Sequence, residues 1–545
     1  MRFSAPFLLA SLMAPIILGA VYFQGQRADA QINAQTLGGP AVSRPNLVAP
    51  QTNAPAPAVS QTVAIAPPLP LPPPIPAAQT IRVGLSTAGK PISIYAPTGL
   101  FLRDAAQPGR ALRVAAGETA QFSLVAPTEV TIAGRKFRGS VGLSVAGRTS
   151  RGWSNVRILV LGDGPARVTS NGEGARYGRS YRGGFEIFPQ QLPNDQRQGP
   201  LALVNVLAME DYLKGVVPWE MDATSPPESL KAQAICARSE TLNFRRTKRF
   251  AKGNFDICDY DACQGYPGME NEKPPTSRAV EATRGLVLWR GGAPADAVYG
   301  TNSGGITAAA SDVWVTSGPV AYLQSVRDFP ANSPLSKIVK PNMTEADWIV
   351  YCSQSWPSYA RPTDAERAQL AARRAKSART AALYGPDDEP EFYRWKRFVS
   401  APDAQTAFAA RGFASVTGFE VLERAGSGHI SQLKVSGLAT PTPGAALVPG
   451  KELAPLSITL VGDGAIRAMF SGKLGSTTAL PSSTFVISPQ TNAAGALSGW
   501  QLKGAGWGHG VGMCQRGAQN HALGGWDARR ILNWYYRDVE VRKLY

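Results

Sequence analysis

The sequence predicts an α+β fold, mainly antiparallel β with a few helices, and three observations predict it. Short alternating runs, IRVGL (81–85), PISIYAP (91–97), EVTIAG (129–134) and VRILVLG (156–162), are separated by Gly, Pro and Asp turns, the period-two pattern of antiparallel strands. SPPESLKAQAICARSETLNF (225–244) carries the strongest helix signal of the chain. Strand-like runs return over 415–490, and helical patterns follow at 515–523 and 527–536.

The chain of 545 residues opens with Met1-Arg2, an apolar run from Ala5 to Phe23, and then Ala28-Asp29-Ala30. That order fits a signal peptide with a small-x-small cleavage site. The run is also near the lower length that spans a bilayer, so 1–30 reads as a signal peptide or an uncleaved anchor. Either reading makes the chain exported, to the periplasm or cell envelope, and an anchor is its one expected tie to membrane. Residues 31–80 read as a linker, with Pro67-Pro68-Leu69-Pro70-Leu71-Pro72-Pro73-Pro74 near its end. Proline lacks the amide donor and fixes φ, so the linker is expected to run as polyproline II and to reach on the order of 150 Å.

Residues 81–200 form the β-rich N-terminal region. In 201–335, LALVNVLAMEDYLKGVVPWEM (201–221) passes from a strand-like run into a short amphipathic turn. The helix that follows has Ser225 as N-cap, Pro226 as its first residue and Glu228 three after the cap, a capping box with proline inside the start. A second helix is expected from Ser277 to Arg284, stopped by Gly285. Strands GLVLWR (285–290) and ADAVYG (295–300) come next, joined by Gly-Gly-Ala-Pro. Residues 336–414 read as a helical insertion, with a basic, alanine-rich helix at 364–383 whose charges form a solvated face. The β-rich region 415–545 closes the chain, with Asp527 capping the last helix.

Lys and Arg exceed Asp and Glu by 17, with a pI near 9.8. That charge suits an anionic partner; for an exported chain, cell-wall polymer or an anionic membrane face fits better than nucleic acid. Five cysteines are too few for a disulfide scaffold. Neither a Ser-His-Asp nor a Cys-His set can be assigned by spacing to the 3 histidines, and the zinc-protease and phosphate-loop motifs are absent. No metal or cofactor is expected. Glu220 lies in GVVPWEM (215–221), just before the long helix. Apolar neighbours raise a carboxyl pKa and suit it to general-acid work. Lys231 and Arg238, seven residues apart, project from nearly one helix face, so a carboxylic acid beside two cations is a reasonable site for an anionic sugar.

These residues carry a resemblance. EDYLKGVVPWEM with PPESLKAQAICARSETL, AVEATRGLVL, the Asn302-Ser303-Gly304-Gly305 turn, DVW (312–314), GSGHISQLKVSG (426–437), ALPSSTF (479–485), GWGHGVGMCQRGA and ILNWYY (531–536) occur in the order of SpoIID/LytB-type proteins. The resemblance runs from about Ile81 to Tyr545 and makes 201–335 a SpoIID-type catalytic core. It implies a peptidoglycan role: SpoIID members are lytic transglycosylases that cut between N-acetylmuramic acid and N-acetylglucosamine, whereas LytB members are described as enhancers of a wall amidase. The catalytic acid of the V-V-P-x-E-M segment falls on Glu220, and the helix lysine and arginine fall on Lys231 and Arg238. Ser303, His509 and Gln515 are further candidates for substrate binding. Usual glycosidases need two carboxylates; a lytic transglycosylase manages with one, because the sugar's own 6-hydroxyl attacks and closes a 1,6-anhydro ring. The competing reading is a non-catalytic wall-binding protein that stimulates an amidase. Family members often carry a cysteine pair with a histidine, some holding zinc there; this chain has DICDYDACQGY (256–266) without histidine. Two thiols alone make a poor zinc site, so a Cys258–Cys263 disulfide is expected.

The stretch GAGWGHGVGMCQRGA (504–518) puts glycine at 504, 506, 508, 510 and 512. Strict alternation is the period of a strand. It predicts a glycine-faced strand leading into a helix, on which His509 and Gln515 border a glycan groove.

Overall fold

The computed structural model describes residues 79–86, 92–104, 111–126, 129–133, 158–161, 165–169, 178–189, 201–260, 262–314, 318–376, 384, 386–440, 453–470 and 479–545. The expected signal or anchor segment and nearly all of the linker lie outside them. Among the described residues no helix is long and apolar enough to cross a membrane.

The fold is α+β. The short alternating runs form two sheets around one core. A seven-stranded sheet runs in the order Ile257–Cys258, Thr80–Leu85, Leu201–Ala208, Gly184–Pro189, Ile158–Leu161, Leu100–Asp104, Ala111–Val114. A five-stranded sheet joins Glu129–Ala133, Thr119–Ala126, Ile92–Tyr95, Ala166–Thr169 and Arg179–Tyr181. Their inward residues, among them Ile81, Val83, Ile92, Ile94, Phe122 and Ile187, are buried together with Tyr212, Val216 and Leu230 from the helices that follow. Pairing is antiparallel except where Ile257–Cys258 lies parallel to the Thr80–Leu85 strand.

The Leu201–Ala208 strand passes without a loop into a helix, Met209–Glu220, longer than the short turn the sequence suggests. Glu210 and Asp211 in its first turn favour the positive helix end. Pro218 removes a backbone donor in the last turn, and the helix stops at Glu220, where Met221 is extended. The long helix spans Pro227–Thr247, with Pro226 rather than Ser225 at its N-cap. The prolines explain the shift: a residue before proline is pushed out of the helical region, and Pro226 has φ −53°, ψ 138°. Glu228 closes no capping box; one of its oxygens pairs with Lys231 and the other accepts the Ala528 N–H. The helix is buried from Ser229 to Phe244 except at Lys231, since one flank belongs to the N-terminal core and the other, with Ala232, Ile235 and Cys236, to a second core drawn largely from 286–323 and 511–536.

The second helix of this region is Pro274–Ala282, and the strands after it are Leu286–Arg290, Ala293–Pro294 and Tyr299–Gly300. The basic helix spans Asp364–Lys376, with 377–383 outside the described residues. Two three-stranded antiparallel sheets follow, Phe413–Arg424, Ile430–Ala439, Pro455–Val461 and Trp395–Ser400, Leu497–Gly504, Phe485–Thr491. The last helices are Gln515–Leu523 and Ala528–Tyr535, the latter capped by Asp527, which accepts the Arg530 N–H at 2.7 Å.

Candidate functional site

Glu220 is the last residue of the Met209–Glu220 helix and is half-buried. Its Oε1 accepts the Gly265 N–H at 3.0 Å. Gly265 is obligatory there, because a methyl on it would fall inside the Trp219 ring. The loop that delivers this N–H is fixed on one side by a disulfide between Cys258 and Cys263. On the other side, Gln264 Nε2 donates to Glu240 Oε2 at 2.7 Å, and its Oε1 accepts from Tyr212 and Thr241. From the opposite end of the chain, Gln515 Nε2 donates to the main-chain oxygen of Glu220 at 2.9 Å and to Gln233 Oε1 at 3.2 Å.

Tyr299 packs between the two cores that flank the long helix. Its strand, Tyr299–Gly300, lies parallel to Met513–Cys514, which leads directly into the Gln515 helix. Its hydroxyl pKa is driven well above the ordinary tyrosine value, first by burial and then by the charges of Glu220 and Glu240, so the phenol is neutral. Glu240, buried on the long helix, is also raised well above the ordinary carboxyl value, by burial first, then by Asp296 and Glu220. Among the described residues the site therefore holds Glu220 at its rim and Glu240 behind Gln264.

The helix cations do not share this setting. Arg238 is fully buried, and it forks onto Glu210 at 3.0 and 2.6 Å while donating to the Leu286 carbonyl at 2.9 Å. Lys231, at the rim, pairs with Glu228 at 2.6 Å. Seven-residue spacing gives the two side chains a common direction, but this face runs from the rim into the core, so direction and depth part company. Arg238 is thus a core residue rather than a cation beside Glu220. Ser303 is buried, with its N–H on Cys514 Sγ and its Oγ accepting the Gly305 N–H; it shapes the turn behind Gln515.

The glycine-rich stretch departs from its expected form. The Leu497–Gly504 strand ends where the alternation begins. Gly506, Gly508, Gly510 and Gly512 have φ of 87°, 100°, 70° and 76°, left-handed conformations that glycine adopts without penalty. The period of two comes from every second residue turning the chain, not from a pleated strand. Gly512 shows the need most clearly, since a side chain there would collide with the Val298 carbonyl. Trp507 turns inward, edge-on to Phe392 with centroids 5.1 Å apart. His509 remains near the site: its Nδ1 accepts the Val511 N–H at 3.0 Å, and the ring bonds the backbone of Tyr299. Burial pushes its pKa down to about 4. His429 is buried nearby, also lowered by burial.

The structure brings Glu220 and Gln515 together and sets His509 against the Tyr299–Gly300 backbone. Sequence reasoning missed Tyr299, Gln233, Glu240 and the Gln264–Gly265 pair. A tyrosine closing the ADAVYG run, just ahead of the Asn302–Gly305 turn, was the one available signal. Among the described residues no group of three or more His, Cys, Asp or Glu side chains is placed to hold a metal ion.

A helix-end carboxyl, a cysteine-bounded loop and a C-terminal glycine-rich stretch meet along one long buried helix, and the sequence around the first two is similar to the SpoIID/LytB family. Residues 197–289, which hold Glu220, Gln264 and Gly265, match the family model of stage II sporulation protein, SpoIID. Residues 308–512 match a domain of unknown function, DUF8618. The chain is 27% identical over 329 residues to the amidase enhancer of Bacillus subtilis, covering 59% of this chain and 39% of that protein. It is 30% identical over 152 residues to stage II sporulation protein D of the same organism, covering 25% of this chain and 43% of the relative. An uncharacterized protein of Brachyspira hyodysenteriae is 33% identical over 135 residues, 25% of this chain and 36% of that protein. The chain thus spans about two fifths of the length of these curated relatives.

Proposed function

We propose that the chain is an exported, peptidoglycan-active protein, a lytic transglycosylase that cuts between N-acetylmuramic acid and N-acetylglucosamine with Glu220 as acid and then base. The observation that carries this reading is that Glu220 stands half-buried at the rim, while the neighbouring carboxyl, Glu240, is buried and holds Gln264, badly placed to activate a water as the second group of a hydrolase would. Protonated Glu220 gives its proton to the glycosidic oxygen as the C1–O bond breaks. The C6 hydroxyl oxygen bonds to C1, and its proton returns to Glu220. The Gly265 N–H favours the carboxylate that exists between those two transfers, and the neutral Tyr299 phenol is a donor for charge developing on nearby oxygens.

Purified chain incubated with glycan strands stripped of stem peptides should release anhydromuramyl products detectable by mass spectrometry, and Glu220→Gln should release none while keeping its fold. Equal product from both proteins would sink the mechanism. A second reading is favoured by the name of one relative, an amidase enhancer: the chain binds wall glycan and stimulates an N-acetylmuramoyl-L-alanine amidase. In that case amidase release of stem peptides rises on adding the chain, and Glu220→Gln stimulates equally well.

A further inference from the structure

We propose that Trp314, backed by His509, is a stacking subsite for a neutral N-acetylhexosamine ring, next to Glu220. The proposal rests on the glycan reading of that site and names which sugar the neighbouring wall receives.

Trp314 is 36% exposed although its position is tightly fixed. It follows the short Ala310–Val313 helix and its N–H bonds the Ala310 carbonyl at 2.9 Å. That turn is pinned by Asp312, which accepts the Ala309 N–H at 3.1 Å and the Ser427 hydroxyl at 2.6 Å. Behind the indole stands the His509 ring, with centroids 5.3 Å apart and planes tilted 44°. Isolated exposed apolar residues are common, but most are loosely held. An indole that is held by its own turn and by a histidine ring, and is exposed among the described residues, offers an apolar face at little ordering cost on binding.

The location ties this face to the acid. Backbone bridges Asn302–Trp507 and Ala308–Val511 lay the 302–314 segment against the glycine-rich hairpin. His509 bonds the backbone of Tyr299, whose hydroxyl feels the charge of Glu220. Trp314, His509 and Tyr299 therefore form one succession that leads toward the acid. The chemistry of the platform selects its sugar. A pyranose presents a patch of axial C–H groups to an aromatic ring, and the histidine beneath is uncharged near neutral pH. The Asp312 carboxylate, bonded to the neutral donors of Ala309 and Ser427, keeps a negative charge by the platform and makes it suit N-acetylglucosamine better than the anionic muramic ring.

The test uses the full chain carrying Glu220→Gln, so that binding is read without cleavage, titrated with soluble N-acetylglucosamine oligomers by calorimetry. Adding Trp314→Ala should weaken binding about tenfold or more, as expected for loss of a central aromatic contact, whereas Trp314→Phe should retain most of it. On the otherwise native chain, Trp314→Ala should raise KM more than it lowers kcat. Equal affinity of the Trp314→Ala protein and its parent overturns the subsite, as does failure of the parent to bind. The outcomes separate the two proposals. Trp314-dependent binding without anhydro product keeps the subsite and removes the lytic reaction; product with affinity and KM indifferent to Trp314 does the reverse.

Discussion

Replacing Arg238 by alanine should unfold the protein more readily rather than disable a binding contact. The guanidinium is fully buried and Glu210 is 4% exposed at its side chain. Removing the arginine strands a carboxylate inside the core, with the Gly285 N–H at 3.2 Å and the Tyr545 hydroxyl at 2.8 Å as remaining donors. Breaking one side of a buried pair costs about 3–5 kcal/mol, a large part of a typical domain stability of ~5–15 kcal/mol. The Leu286 carbonyl also loses its donor. Replacing both partners by apolar residues should recover part of the loss, not all of it, because Gly285 and Tyr545 would then lack an acceptor. The assay is a urea titration followed by intrinsic fluorescence, with turnover measured per folded molecule. The midpoint should fall sharply for Arg238→Ala, and turnover of the folded fraction should stay near that of the parent. Lys231→Ala is the contrast: its ion pair is exposed at the rim and worth about 0–1 kcal/mol. An unchanged midpoint with lost turnover in Arg238→Ala would refute the burial argument and return this guanidinium to the substrate.

Two further expectations concern the same site. Cys258→Ser with Cys263→Ser should lower stability by about 2 kcal/mol, the loop-closure value for so short a ring, and reduce turnover because the loop no longer holds the Gly265 N–H on Glu220; identical midpoints in the presence and absence of reductant would contradict it. Stability should also depend on pH through His509. Its folded value, about 4, lies below the ordinary 6.5, so below 6.5 the unfolded chain binds the proton first. The contribution is complete above that value and is lost as pH falls toward 4, with the buried His429 acting in the same direction. Urea midpoints measured through this window should fall less steeply for His509→Gln, and parallel slopes would count against the assignment.

Much of this architecture is legible in the sequence because it follows from period and punctuation. Alternation in IRVGL and PISIYAP yields strands, and Asp527 caps its helix because a side-chain acceptor is needed at that point. What stayed hidden has physical causes. Helical spacing gives the direction of Arg238 but not the thickness of protein packed over it. The Pro226-Pro227 pair makes the first proline unable to be helical, and a capping pattern read by composition misses that by one residue. Alternating glycines have two origins, a pleat or a succession of left-handed turns, and composition does not separate them; the Val298 carbonyl pressed against Gly512 does. Tyr299 and Gly265 sit on a two-residue strand and a loop, where no periodicity announces them.

The hydrogen bond from Gln515 to Glu220 joins residues 295 apart in the chain. Closing so long a span is slow, because loop entropy is lost before the contact repays it. Loop entropy thus favours an order in which the Met209–Glu220 helix packs on its own sheet first and the far segment docks later. A chain crossing a membrane unfolded would carry no working cleft during passage. On the proposed export route, that cleft would be completed only after passage, with the docking of the far segment.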